Sequence, residues 1–222
     1  MTTTFFPPRE PDNVKEIAKI ADKFDVYHLI NNAYGVQSRE IMKILRGAID
    51  AGRVDAIVQS TDKNFLTPVG GCIMASPNEN FLNFVSQMYP GRASAAPIVQ
   101  FLAAILSLGV QGYQGLMDAQ ESNRRLLGEM LQELAKKYSE RVLNVYNPIA
   151  AAMTLTGKDT KKIGHHLYTL RVTGPRVLEP TDFGICCKKY ISPYITMNAA
   201  IGSQNRDVEV AIERLDKLLS LN

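Results

Sequence analysis

Residues 26–59 read as strand, helix, strand, and no other stretch of the 222-residue chain limits the fold as much. Val26-Tyr27-His28-Leu29-Ile30 is a short apolar run. Residues 39–51 carry Ile41, Met42, Leu45 and Ile49 on one helical face and stop at Gly52, and residues 54–59 form a second apolar run. Two strands joined by a helix through short connections form a βαβ unit, with the strands parallel and adjacent in one sheet. In open sheets of this kind ligands bind beyond the C-terminal strand ends. Both ends are polar here: Asn31-Asn32-Ala33-Tyr34-Gly35 closes the first strand and Ser60-Thr61-Asp62-Lys63 the second.

The second turn presents a lysine between two apolar segments, residues 55–59 and Pro68-Val69-Gly70-Gly71-Cys72-Ile73-Met74. A lysine held at a strand end by apolar walls loses hydration, which favours the neutral amine that condenses with an aldehyde. Taken alone, Lys63 reads first as an ordinary solvated loop lysine. Asn31 on the neighbouring strand adds weight to the reactive reading. A pyridine aldehyde needs an amine for its carbonyl and a hydrogen-bonding side chain for its ring nitrogen, and the two adjacent turns offer both.

The rest of the chain fits an α/β unit followed by a smaller α+β one. Asp12-Asn13 caps a helix over residues 14–23, a third strand covers 66–75, and a helix covers 78–88. Residues 97–108 are apolar nearly all round, as in a helix buried between layers or at a subunit interface. A long helix follows over 111–138, then strands at 142–145, 150–155, 167–172 and 195–200, and a closing amphipathic helix at 207–219. This pattern predicts one domain over residues 1–140, ending in the long connecting helix, and a small α+β domain over 141–222.

Composition excludes several classes. Three cysteines, Cys72 and the pair Cys186-Cys187, make neither a disulfide framework nor a zinc-spaced set, and the adjacent His165-His166 point different ways, so no metal site is expected. The net charge of +3 does not by itself announce a nucleic-acid partner. The longest apolar run, residues 97–110, is short for a bilayer, and the N-terminal residues lack the basic start and apolar core of a secretory signal. A cytoplasmic protein without a membrane partner is the expectation.

The paired turns resemble the aspartate-aminotransferase-like group of pyridoxal-phosphate (PLP) enzymes, in which an Asp-x-Ala-x-Gly strand end holds the ring nitrogen and a Ser-x-x-Lys turn carries the Schiff base. Asn31 stands where that group usually has aspartate. A neutral amide makes a weaker electron sink, which suits β-elimination more than transamination. Longer motifs narrow the resemblance. Asn31-Asn32-Ala33-Tyr34-Gly35-Val36-Gln37-Ser38, Asp62-Lys63-Asn64-Phe65, Pro68-Val69-Gly70-Gly71, Met88-Tyr89-Pro90-Gly91-Arg92-Ala93-Ser94-Ala95, Ala152-Met153-Thr154-Leu155 and Met197-Asn198-Ala199-Ala200 all look like the O-phosphoseryl-tRNA(Sec) selenium transferase family.

The resemblance implies PLP as cofactor and tRNA(Sec) carrying phosphoserine and selenophosphate as substrates, while the strand edges and apolar helix faces that a half-sheet leaves uncovered, notably around residues 97–108, predict a homo-oligomer, dimer or tetramer. The resemblance further implies that Lys63 holds the cofactor and removes the α-proton, that Asn31 and Ser60 complete the cofactor-binding set, that Arg92 clamps the substrate phosphate, and that Thr169 lies near the tRNA end. It also implies that the cofactor-phosphate loop and the ring-stacking side chain belong to a preceding half, so that these residues match the second half of the PLP-binding large domain and the small C-terminal domain. Two positions depart from the family pattern. Asp50 stands where an arginine would serve the cofactor phosphate, and Leu170 follows Thr169 where the family has arginine, with Arg171 one residue on. Read as a strand, that one-residue shift turns the charge to the opposite face. A PLP-dependent selenium transferase is therefore the first reading. A non-catalytic truncated relative acting as a binding or assembly subunit is the alternative, and a β-eliminating or decarboxylating enzyme of a free amino acid a third.

Overall fold

The computed structural model describes residues 1–222 except 8, 89, 90, 92, 181, 183–189 and 222. Its contacts group into two compact units, Met1–Thr4 with Pro11–Met117, and Phe5–Glu10 with Asp118–Asn222.

The first unit is built on the βαβ motif. Helix α1 (Val14–Lys23) begins at Asn13, whose side chain accepts the Glu16 N–H, and α2 (Arg39–Ala51) begins at Ser38, which accepts that of Ile41. Between them runs β1 (Leu29–Asn31), parallel to β2 (Ala56–Ser60) with Asn31 opposite Val58. Strand β3 (Cys72–Ala75) adds to β2 antiparallel, with Ser60 opposite Cys72. The N-terminal residues lie along the other edge of β1: Thr3 N–H donates to Asn31 O and Asn31 N–H to Met1 O.

Strand periodicity then sorts the side chains onto two faces. Ile30 and Ile57 point to one side and form a core with Val14, Ala18, Leu45, Ala48 and Val54 from the helices and the β2 approach. The opposite face carries Asn31, Val58, Ser60, Cys72 and Met74, and within it Leu29, Asn31, Cys72 and Met74 are exposed. After the four-residue α3 (Thr61–Asn64) come β3 and then α4 (Glu79–Gln87), which buries no residue.

Helix α5 (Ala96–Lys137) contributes residues up to Met117 to this unit and the remainder to the second. It is broken at Gly109 (φ 60°, ψ 179°), so the two helices expected from the sequence abut there. An 18-residue window within α5 is apolar enough to cross a membrane by length and composition, which the residue count over 97–110 did not anticipate. The break limits the straight run 96–108 to about 20 Å at ~1.5 Å per residue, against roughly 30 Å of bilayer hydrocarbon. Of the two placements expected for 97–108, burial between layers is corrected: Ile98 and Leu106 are among its exposed residues within the chain, and nothing among the described residues covers them.

In the second unit β4 (Ala150–Thr154), β5 (Arg176–Leu178) and β6 (Tyr194–Asn198) form an antiparallel sheet in the order β4-β6-β5. Helices α6 (Thr160–Thr169) and α7 (Asn205–Leu219) pack with the C-terminal part of α5 over a core of Leu127, Leu131, Met153, Ile195, Ile163 and Leu215. Residues 5–10 attach here: Asn147 donates to Phe5 O and Thr196 to Phe6 O. Two strand expectations fail. Residues 142–145 contribute only one bridge, Val142 to Met153. Residues 167–172 are the end of α6 and the loop after it, because Asp159 caps the Lys162 N–H and Thr160, Ile163 and Leu167 turn one helical face inward.

Candidate active site

The two polar turns are held together by buried amides. Asn32 is fully buried. Its backbone N–H donates to Val58 O at 2.8 Å, its Oδ1 accepts from Thr3 Oγ1 at 2.6 Å, and its Nδ2 donates to Gln59 Oε1 at 3.1 Å. Gly35 must lack a side chain, since a Cβ there would sit 1.9 Å from Asn32 Oδ1. Asn64, also fully buried, bridges the turns directly. Its Nδ2 donates to Ala33 O at 2.8 Å and Ser60 O at 2.7 Å, and its Oδ1 accepts the Gln37 N–H at 3.3 Å. Gln37 Nε2 returns a bond to Lys63 O at 2.9 Å. The backbone that carries Lys63 is thus fixed to the turn that follows Asn31.

The lysine projects from this frame. Lys63 Nζ donates to Ser60 Oγ at 3.1 Å and lies 3.4 Å from Asp62 Oδ2, with the Tyr34 ring centroid at 5.4 Å. Its side chain is about one-third exposed, at 31%. The apolar walls expected from the sequence are therefore replaced by a hydroxyl, a carboxylate and an aromatic face at the amine itself. Phe65, two residues on, stacks on Tyr113 at 5.2 Å and meets Phe101 edge-on at 4.9 Å. Burial pushes the Tyr113 phenol up to about 12.

Asn31 shares a sheet face with Ser60, because Asn31 is level with Val58 and Ser60 lies two residues further along β2. Its Oδ1 accepts the Ala33 N–H at 3.0 Å, which leaves the amide nitrogen as the end able to donate. An unprotonated pyridine nitrogen accepts such a bond, so the donor set of Asn31, Ser60 and Lys63 fits a pyridine aldehyde.

The other expected residues are placed elsewhere or lie outside the description. Arg92 is outside the described residues. Thr169 belongs to the second unit, not on a strand but as the last residue of α6, where it is exposed and donates to His165 O one turn back. The strand-register argument at 170–171 falls with that correction. Leu170 caps α6 and packs against the core, and Arg171 takes a left-handed conformation (φ 62°). Asp50 pairs with Arg46 at 3.0 Å on the surface of α2. Among the described residues no group of His, Cys, Asp and Glu is placed to hold a metal ion. Sequence reading missed Asn32, Gln37 and Asn64. The signal available was the concentration of amides in both turns.

The sequence and the fold are matched in known proteins. The model of the O-phosphoseryl-tRNA(Sec) selenium transferase family matches residues 1–220. The chain belongs to that family. It is 48% identical over 221 residues to the O-phosphoseryl-tRNA(Sec) selenium transferase of Methanopyrus kandleri, covering 98% of this chain and 51% of the relative. It superposes on the crystal structure of an archaeal O-phosphoseryl-tRNA(Sec) selenium transferase with a TM-score of 0.93 at 44% identity, covering 97% of this chain and 50% of the other. A serine palmitoyltransferase from S. paucimobilis with bound PLP and myriocin aligns with a TM-score of 0.72 at 12% identity over 100% of this chain and 55% of that one, a likeness of fold alone. The fold is thus the second half of a PLP-dependent transferase large domain followed by its small α+β domain, and the chain spans about half the length of the family members it matches.

Proposed function

We propose that this chain is the lysine-bearing half of a PLP-dependent selenium transferase that converts O-phosphoseryl-tRNA(Sec) to selenocysteinyl-tRNA(Sec) with selenophosphate. The observation that carries the reading is the junction of Lys63, Ser60 and Asp62 at a strand end tied through Asn64 to the turn after Asn31. Bound there, PLP supplies an electron sink that acidifies the substrate's α-carbon.

Four further roles fall to side chains of this chain: holding the amine, contacting the ring nitrogen, moving the α-proton and receiving the substrate. Lys63 holds the cofactor through its amine, Asn31 donates to the ring nitrogen, and Ser60 orients the amine by accepting its hydrogen bond. Freed by the substrate's amine, Lys63 Nζ takes the α-proton, and the Ser60 hydroxyl and Asp62 carboxylate within 3.4 Å steady the resulting ammonium. Loss of that proton lets phosphate leave the β-carbon with formation of a Cα=Cβ double bond; the selenium of selenophosphate then adds to the β-carbon while the α-carbon regains a proton from the Lys63 ammonium, and water cleaves the selenium–phosphorus bond to release inorganic phosphate and the selenol. Arg92 offers the planar fork of donors that a leaving phosphate needs, and Thr169 serves the tRNA end.

The test is phosphate release from O-phosphoseryl-tRNA(Sec) with PLP present. Release that disappears in Lys63→Ala supports the reading. Wild-type protein that binds the tRNA without releasing phosphate supports the alternative, a non-catalytic binding or assembly subunit. That second reading is favoured by one observation, the uncovered apolar surface of Leu29 and Met74 on the sheet and Ile98, Val99 and Leu106 on α5. Surface of this kind is normally hidden, so we also propose a homo-oligomer, dimer or tetramer, in the cytoplasm, without a membrane partner. A monodisperse monomer in light scattering at micromolar concentration would contradict the oligomer.

A further inference from the structure

The turn that carries Asn31 is braced by a loop whose tip is held elsewhere. Residues 3–11 leave the first unit and return to it through a neck closed by a reciprocal pair: Thr2 N–H donates to Asp12 Oδ2 at 2.8 Å and Asp12 N–H to Thr2 O at 3.0 Å. The base of the loop, up to Thr4, belongs to the first unit, and Phe5–Glu10 belongs to the second. At the base Thr3 grips the polar turn. Its N–H donates to Asn31 O at 3.1 Å and its hydroxyl to Asn32 Oδ1 at 2.6 Å, while Asn31 N–H donates to Met1 O at 2.7 Å.

At the tip the buried Asn147 acts as a fixed post. Its Nδ2 donates to Phe5 O at 2.7 Å and Pro7 O at 3.3 Å, its Oδ1 accepts the N–H groups of Ile149 at 3.0 Å and Ala150 at 2.8 Å, and its backbone carbonyl accepts from Arg124 Nε at 3.0 Å. An amide engaged at both ends cannot turn without breaking several bonds at once. Thr196 adds a bond to Phe6 O at 2.8 Å, and the Arg176 guanidinium lies 4.9 Å from the Phe6 ring centroid. Only Thr4 separates Thr3 from Phe5. Two residue steps reach at most about 7 Å, and Thr4 is itself buried, so the chain has no room there to bulge and absorb a displacement of the tip. A shift at Phe5 therefore passes through Thr3 to Asn31 O and Asn32 Oδ1.

We propose that Asn147 is a positioning residue for Asn31: by anchoring the tip of the loop it sets, through Thr3, the place from which the Asn31 amide meets the pyridine nitrogen. Asn147→Asp is the probe, because a carboxylate keeps the acceptor for Ile149 and Ala150 but turns an oxygen against the Phe5 and Pro7 carbonyls. Hydrogen exchange of the full chain without PLP is expected to quicken about fivefold or more over residues 29–33 and to stay unchanged in β4. Thr196→Val, which removes the bond to Phe6 O alone, is expected to quicken the same residues by a smaller factor, and it decides the matter should Asn147→Asp fail to fold. PLP affinity is then measured in a double-mutant cycle with Asn31→Ala. Asn147→Asp is expected to weaken PLP about fivefold with Asn31 present and less than about twofold with it removed, whereas a merely structural residue would weaken PLP equally in both backgrounds. Exchange over 29–33 unchanged in both variants, or equal loss of affinity in both backgrounds, would overturn the proposal. The affinity arm rests on the role proposed for Asn31. Wild-type protein that takes up no PLP would remove that role, and the exchange arm would still decide whether Asn147 holds the turn.

Discussion

Gln37 and Asn64 are locked to each other by a reciprocal arrangement: the Gln37 backbone N–H donates to Asn64 Oδ1 while Gln37 Nε2 donates to the carbonyl of Lys63, the residue before Asn64. The two candidate-site turns come from different strands, nearly thirty residues apart, and this pair with Ala33 and Ser60 makes them one body. A reactive lysine gains from such a frame because a misplaced amine loses most of its rate advantage.

Asn64→Ala leaves the Gln37 N–H and the Ala33 and Ser60 carbonyls without these partners in a buried place. The expected loss is roughly 2–4 kcal/mol, read from urea denaturation. Asn64→Asp keeps the acceptor but sets a carboxylate against two carbonyl oxygens, and is expected to lose at least as much. A change within about 0.5 kcal/mol in both would show that the bridge is dispensable.

Gly35→Ala tests the packing behind Asn31. Its Cβ would lie 1.9 Å from Asn32 Oδ1 and 2.5 Å from Ile41 Cγ2, so the turn must move or Asn32 must give up its bond from Thr3. A destabilisation of about 1–3 kcal/mol is expected, with weaker PLP uptake as the turn shifts. Wild-type stability and uptake in the variant would contradict the geometry.

Asp55 governs acid stability of the first unit. Burial alone would raise its carboxyl, but hydrogen bonds from Arg53 and the His28 backbone N–H, with the charge of Arg53, outweigh it and hold the group below its ordinary value. A carboxylate lowered on folding contributes stability that is present above its unfolded value near ~3.9 and is lost as pH falls through the lower folded value. Asp55→Asn is therefore expected to be less stable at pH 7 by about 2 kcal/mol and to decline less steeply than wild type below about pH 4. Parallel stability–pH curves for the two proteins would refute the assignment.

The βαβ core was legible because periodicity and caps agreed: Asn13 and Ser38 start their helices, and Ile30 and Ile57 alternate with Asn31 and Val58. That the turn after Asn31 and the turn bearing Lys63 close neighbouring parallel strands followed from the βαβ pattern. The third strand came out shorter than its apolar run because Leu66 (φ 58°) and Gly70 (φ 123°) give residues 66–71 to a turn. Thr169 was misplaced because Leu167-Tyr168-Thr169-Leu170 alternates in polarity just where a helix ends with Leu167 inward and Leu170 folded back on the core. Asn64 was invisible for a different reason. Its partners are backbone groups of a turn far away in sequence, and no local pattern marks them.

Lys63 carries the central claim, and borohydride trapping tests it most directly. The chain is incubated with PLP, reduced, digested and mapped by mass spectrometry. The account predicts a reduced pyridoxyl adduct on the peptide containing Lys63, with Lys63→Ala protein unlabelled under the same conditions. Labelling spread evenly over surface lysines, or unchanged in Lys63→Ala, would contradict it.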